Sequence, residues 1–169
     1  MNKQIELKRD TGSLSFVIRR MNEDDVNKIA HTFSCWGKNL ELCQRYEKEN
    51  QSEKRVTLVA VSAGQVIGYT NVVWQSDYEP FLEAGIPEIN DMSVITRFQK
   101  QGIGTALIEK AEKIAIAKDK KEIGIGFGLT PDYGSAQRLY VKLGYIPDGR
   151  GAKATSYGDV LYLTKRLKQ

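Results

Sequence analysis

Cysteine is scarce: Cys35 and Cys43 are the only two in 169 residues, and they form no C-x-x-C pair. A disulfide framework is excluded, and reduced thiols are expected. Long apolar runs are missing too. Stretches such as Leu58 to Val61 fall far short of the roughly 18 residues needed to span a bilayer, so neither a transmembrane helix nor a membrane partner is expected. Met1 to Asp10 alternates charge with isolated apolar residues and never builds the apolar core of a secretory signal, which makes the cytoplasm the expected compartment. Neither sign of charge dominates: 25 basic residues face 21 acidic ones along the chain, for a formal net charge of +4. That bias toward anionic ligands is mild, and no nucleic-acid partner is expected. His31 and Cys35 have metal-ligand spacing at i and i+4 of a helix, but Cys43 is the only other soft ligand, so no metal is expected.

What is present is ordinary globular material, 41% hydrophobic and 27% charged. The length suits one domain over residues 1–169, and no repeat, low-complexity tract or linker divides it. Hydrophobic period and turn residues give a mixed α/β chain. Leu14–Arg19 reads as a strand, followed by a helical region from about Asn22 to Glu49 that is interrupted near Gly37. Arg55–Val61 and Val66–Trp74 are β-branched runs that form an antiparallel hairpin about Ala63-Gly64. A loop with Asp77, Glu79, Pro80 and Glu83 leads to a strand at Glu88–Val94. Then come Gly102-Ile103-Gly104 and a helix with apolar residues at Ala106, Leu107, Ala111, Ile114 and Ala115. Ile123–Gly128 alternates with glycine on one face, bare enough for another backbone or a ligand to approach. Ser135–Leu143 is a helix with Gly144 as its left-handed cap. Strands near Tyr145-Ile146 and over Asp159–Lys165 close the order β-α-α-β-β-β-α-β-α-β-β.

The densest chemical signal is Gln99-Lys100-Gln101-Gly102-Ile103-Gly104-Thr105-Ala106, between a strand and a helix. A helix N-terminus offers unpaired N–H groups and the positive end of a dipole, and glycine lets a phosphate approach closely. Two known phosphate motifs fail. No G-x-x-x-x-G-K-S/T occurs, and the dinucleotide fingerprint lacks its third small residue near Leu107 and its acid after the next strand, where Gly128-Leu129-Thr130 stands.

The stretch from Glu88 to Gly104 instead resembles the acetyl-CoA motif of the GNAT superfamily of N-acetyltransferases. That motif reads Gln or Arg, two residues, Gly, one residue, Gly or Ala, and is met by Gln99, Gly102 and Gly104. A second family motif, A-x-x-L-Y-x-x-x-G-F/Y, is met by Ala136, Leu139, Tyr140, Gly144 and Tyr145. Val66-Ile67-Gly68-Tyr69 is similar to the family's usual third-strand opening. The resemblance implies the GNAT acyl-CoA N-acyltransferase fold, an α+β arrangement with a mixed central sheet of about six to seven strands and about four flanking helices.

It also implies acetyl-CoA as co-substrate, in a splay between the family's fourth and fifth strands. Gln99, Lys100, Gln101, Gly102, Ile103, Gly104 and Thr105 would hold the pyrophosphate. Backbone groups of Met92, Ser93 and Val94 would bind pantetheine and polarise the thioester carbonyl, where one preoriented donor contributes about 3 kcal/mol. The second motif departs from the family where Tyr133 replaces the usual Asn, leaving Tyr133, Gly134 or Ser135 to take over its cofactor contact. Direct attack through a tetrahedral intermediate needs a neutral amine, and therefore a base, because an ammonium has a pKa of about 10. Glu88 and Asp91 are the candidates. Glu88 matches the family's catalytic glutamate, acting through a water, and Tyr140 matches the acid that protonates the departing thiolate. On a regular strand Glu88 and Asp91 face opposite sides.

The acceptor has no decisive motif. Asp77, Glu79 and Glu83 hint at a small cationic amine; a protein lysine or N-terminus remains open, as does a non-catalytic acyl-CoA sensor. Trp36 and Tyr46 read as core, or as the floor of an acceptor pocket. A homodimer is expected from the family resemblance.

Overall fold

The computed structural model describes residues 6–10, 12 and 14–168; Met1–Ile5, which enter the reading of the N-terminus, lie outside it. The described residues form eight strands and five α-helices. In chain order these are β1 Leu7–Asp10, β2 Ser15–Arg20, α1 Asp25–Thr32, α2 Leu40–Gln51, β3 Arg55–Ser62, β4 Gln65–Val73, α3 Glu79–Ala84, β5 Glu88–Val94, α4 Ile103–Ala117, β6 Glu122–Gly128, α5 Gly134–Lys142, β7 Ile146–Thr155 and β8 Gly158–Arg166. The strand order is β1-β2-β3-β4-β5-β6-β8-β7. The fold class is the expected one, with one strand and one helix beyond the expected ranges.

The two additions have simple causes. β1 pairs antiparallel with β2, but three of its four residues are exposed, so it carries no hydrophobic pattern. α3 replaces the expected acidic loop. Pro80 fits its first turn, Gly85 caps it at φ 63°, and Phe81 alone is buried. The closing strand β7 is also longer than the expected Tyr145-Ile146 pair.

Two compact units divide the chain. One holds the residues up to Val73 together with Asp91–Ala111; the other holds Trp74–Asn90 and the residues from Glu112 onward. In the first, the hairpin β3–β4 turns at Ala63 and Gly64, both at positive φ as a two-residue primed turn requires. Helices α1 and α2 cover it through Val26, Ile29, Phe33, Cys43, Tyr46, Val59 and Tyr69. The break near Gly37 falls as expected. A 3-10 turn over Ser34–Trp36 ends at Gly37 with φ 77°, and the Asn39 side chain then caps α2 by accepting the Leu42 N–H. Because α1 stops at Thr32, His31 and Cys35 do not share a helix, and Trp36 is 42% exposed rather than core.

In the second unit β6 pairs parallel with the start of β5 and antiparallel with β8, which forms a hairpin with β7. The bare glycine face of β6 is filled by rings rather than left open. A Cβ at Gly124 would stand 2.1 Å from Phe81, and one at Gly128 would stand 2.5 Å from Tyr133.

Candidate functional site

In the first unit, Gly68 on β4 lets three groups close in. A Cβ there would lie 3.2 Å from the Ser93 carbonyl oxygen and 3.2 Å from the side chains of Val94 and Ile103. The Ile95 N–H donates to the Ile67 carbonyl at 3.0 Å. The chain then makes a 3-10 turn over Thr96–Phe98, and Gln99 folds back so that its Nε2 donates to the Val94 carbonyl at 3.0 Å. Gln101 does the same to Arg97 at 3.1 Å. The two glutamines of the expected pyrophosphate loop therefore brace its backbone.

Lys100 at φ 60° and Gly102 at φ 82° complete the turn. The first bond of α4 runs from the Ala106 N–H to the Gly102 carbonyl, which leaves the earlier N–H groups of the turn without helical partners. Gly102 is exposed, and an added Cβ would meet nothing within 4 Å. Free donors, a dipole end and open space suit an anionic group such as a diphosphate. Met92, Ser93, Val94, Gly104 and Thr105 are all half-buried near this turn in sequence.

Asp91 has a larger part than the sequence suggested. It has φ 53°, which breaks the strand's alternation, so the expectation that it simply faces opposite Glu88 does not apply. Its carboxylate accepts Lys38 Nζ at 2.7 Å, the Tyr46 hydroxyl at 2.7 Å and the Tyr69 hydroxyl at 2.9 Å. Burial, then the Asp91 charge, push both tyrosine hydroxyls well above their ordinary range. The Arg55 guanidinium stacks over Tyr46 at 4.4 Å from its centroid. Cys43 is fully buried, and burial with the Asp91 charge lifts its thiol to about 11, so it stays protonated near neutrality. Tyr46 and Tyr69 could have been suspected only as polar-tipped aromatics. Nothing local to Lys38 announces its partner.

The second unit holds Glu88 and Tyr140. Glu88 is only 6% exposed. Its Oε2 accepts the Ser76 hydroxyl, and its Oε1 accepts Asn90 Nδ2 at 3.3 Å. Burial raises its pKa above the usual carboxylate value; the Ser76 and Asn90 bonds oppose the rise, and the Asp77 charge adds to it. Tyr78 stacks on Tyr162 with centroids 3.7 Å apart and donates its hydroxyl to Asp148 at 2.7 Å. Tyr140 is 5% exposed, with its ring against Phe127 and Tyr145. Burial, with a lesser contribution from Tyr133, raises its hydroxyl pKa and keeps it a donor. Ser135 is exposed in the first turn of α5, and Tyr133 lays its ring over Gly128. Among the described residues no three His, Cys, Asp or Glu side chains group as metal ligands.

The passage from β5 through the turn into α4, with N–H groups free of helical partners, suits a cofactor that carries a diphosphate. A sequence model of the acetyltransferase (GNAT) family matches residues 25–145, and the chain belongs to that family. No curated protein matches the sequence. Among solved structures it is similar to a ribosomal-protein-S5-alanine acetyltransferase from Vibrio fischeri, at 13% identity and TM-score 0.76, with 98% of each chain covered. It is similar to a ribosomal-protein-alanine N-acetyltransferase from Brucella melitensis, at 21% identity and TM-score 0.71, with 89% of this chain and 99% of that one covered. The yncA protein of Salmonella typhimurium, solved with its cofactor acetyl-CoA, aligns at 16% identity and TM-score 0.72, with 91% and 95% covered. These likenesses show the fold, and the family match makes acyl transfer from acetyl-CoA the class of activity.

Proposed function

We propose that this protein is an N-acetyltransferase that passes the acetyl group of acetyl-CoA to a primary amine by direct attack. The observation that carries the reading is Glu88, a buried carboxylate with a donor on each oxygen, at the start of the strand that leads into the Gln99–Thr105 turn. In this reading Glu88 takes the amine proton through a water. Tyr140, protonated throughout the physiological range, gives its proton to the departing thiolate. The N–H groups from Gly102 to Thr105 take the diphosphate, Met92, Ser93 and Val94 offer backbone groups to pantetheine, and Ser135 stands in for the missing Asn. Protonated Cys43 is unsuited to an acetyl-cysteine intermediate, which supports direct attack.

The acceptor we favour is a small cationic amine. Asp77 and Asp148 lie in the same unit as Glu88, beside the Tyr78–Tyr162 pair, and such acids with aromatic faces attract ammonium groups. The cytoplasm and a homodimer complete the reading.

Thiol release from acetyl-CoA, followed with spermidine, lysine methyl ester and an alanyl peptide, tests it. Glu88→Gln should lower kcat/KM about 100-fold or more while acetyl-CoA still binds. Unchanged turnover in both Glu88→Gln and Tyr140→Phe would overturn the assigned roles, and binding without turnover on any amine would favour a sensor. Preference for the alanyl peptide would move the acceptor to a protein N-terminus.

A further inference from the structure

Ser76, in the segment between β4 and α3, has a hydroxyl whose bonding runs in one direction only. Its Oγ accepts the Tyr78 N–H at 3.0 Å, so its single proton goes to Glu88 Oε2. The first of these bonds belongs to a local turn of the kind serine often makes. The turn needs only the acceptor. The second bond spends the hydroxyl's only proton on a carboxylate in a place where serine is 2% exposed. A charged acceptor makes this the stronger type of hydrogen bond.

We propose that Ser76 is a positioning residue that orients Glu88 and holds it in its basic form, an inference that rests on the role of Glu88 proposed above. The groups facing Glu88 define what Ser76 opposes. Asp77 adds negative charge from the same segment, and Tyr162 approaches from β8 with its hydroxyl raised by burial and by the Glu88 and Asp77 charges. β6 brings only Gly124 and Ile125 opposite Glu88 and Ile89. Asn90 is the other donor, at a longer 3.3 Å. Ser76 is therefore the chief local group favouring the ionised form against burial and a neighbouring carboxylate.

The test compares wild type with Ser76→Ala, Asn90→Ala and Glu88→Gln by two readouts. One is the 13C-carboxyl titration of Glu88 by NMR in the free protein, which needs no acceptor. The other is the pH profile of kcat/KM for acetyl-CoA with the best amine of the panel above. Removing the Ser76 donor should move the Glu88 titration, and with it the acid limb of the profile, to higher pH by about one unit or more. Activity should return above the new limb, with the KM for acetyl-CoA unchanged. Asn90→Ala, at an exposed position, should move both in the same direction by less, and carries the test if Ser76→Ala does not fold. An unmoved titration overturns the inference. A limb that disappears in Glu88→Gln but stays in place in Ser76→Ala overturns it while leaving Glu88 as the base. A limb that persists in Glu88→Gln removes the base role itself.

Discussion

Glu88 and Asp91, three residues apart on one strand, have unlike surroundings that suit them to unlike work. Asp91 takes three donors, from Lys38, Tyr46 and Tyr69, and its lone pairs are committed to holding α2, its preceding loop and β4 to β5. Replacing it with alanine strands two buried hydroxyls and a half-buried ammonium, and should cost about 2–4 kcal/mol. For a chain of this length that is a fall of roughly 5–15 °C in thermal midpoint, which calorimetry would read. Tyr140→Phe should behave oppositely. The ring contacts with Phe127 and Tyr145 remain, so the midpoint and acetyl-CoA affinity should hardly change, while single-turnover acetyl transfer falls by about 100-fold. The motif positions of Tyr140 and Glu88 were legible because short sequence spacing carries them. The Asp91 cluster was not: its donors lie 22 to 53 residues away, and only tertiary packing assembles them.

Elements were legible where period and punctuation agree. The hairpin β3–β4 has β-branched runs on both sides of a turn that needs positive φ, and α4 follows Gly102 with apolar residues at helical spacing. β1 and α3 lack such patterns, one because it is an exposed edge, the other because a single Phe81 anchors fewer than two turns. β6 was recognised as a strand, yet the purpose of its glycines was not. They admit Phe81 and Tyr133 rather than a ligand. Gly124→Ala should therefore push its Cβ into the Phe81 ring and destabilise the protein by about 1–3 kcal/mol through overpacking. Denaturant unfolding would show a lower midpoint at unchanged slope. A neutral result would mean the Phe81 ring moves aside at little cost.

For the whole molecule, the family and fold class were legible because two short motifs stand in the right order along a chain whose elements alternate as the fold requires. The acceptor was not, since no single motif unites Tyr78, Asp148 and Tyr162, the side chains proposed to meet it. What both motifs imply in common is acetyl-CoA. The thermal midpoint measured with and without acetyl-CoA, at about a hundred times a micromolar dissociation constant, tests this most directly. Binding at that excess adds about 2.7 kcal/mol, so a rise of roughly 5–10 °C is predicted. A folded protein whose midpoint does not move would contradict the acetyl-CoA assignment, and with it the reading of the Gly102 turn as a diphosphate site.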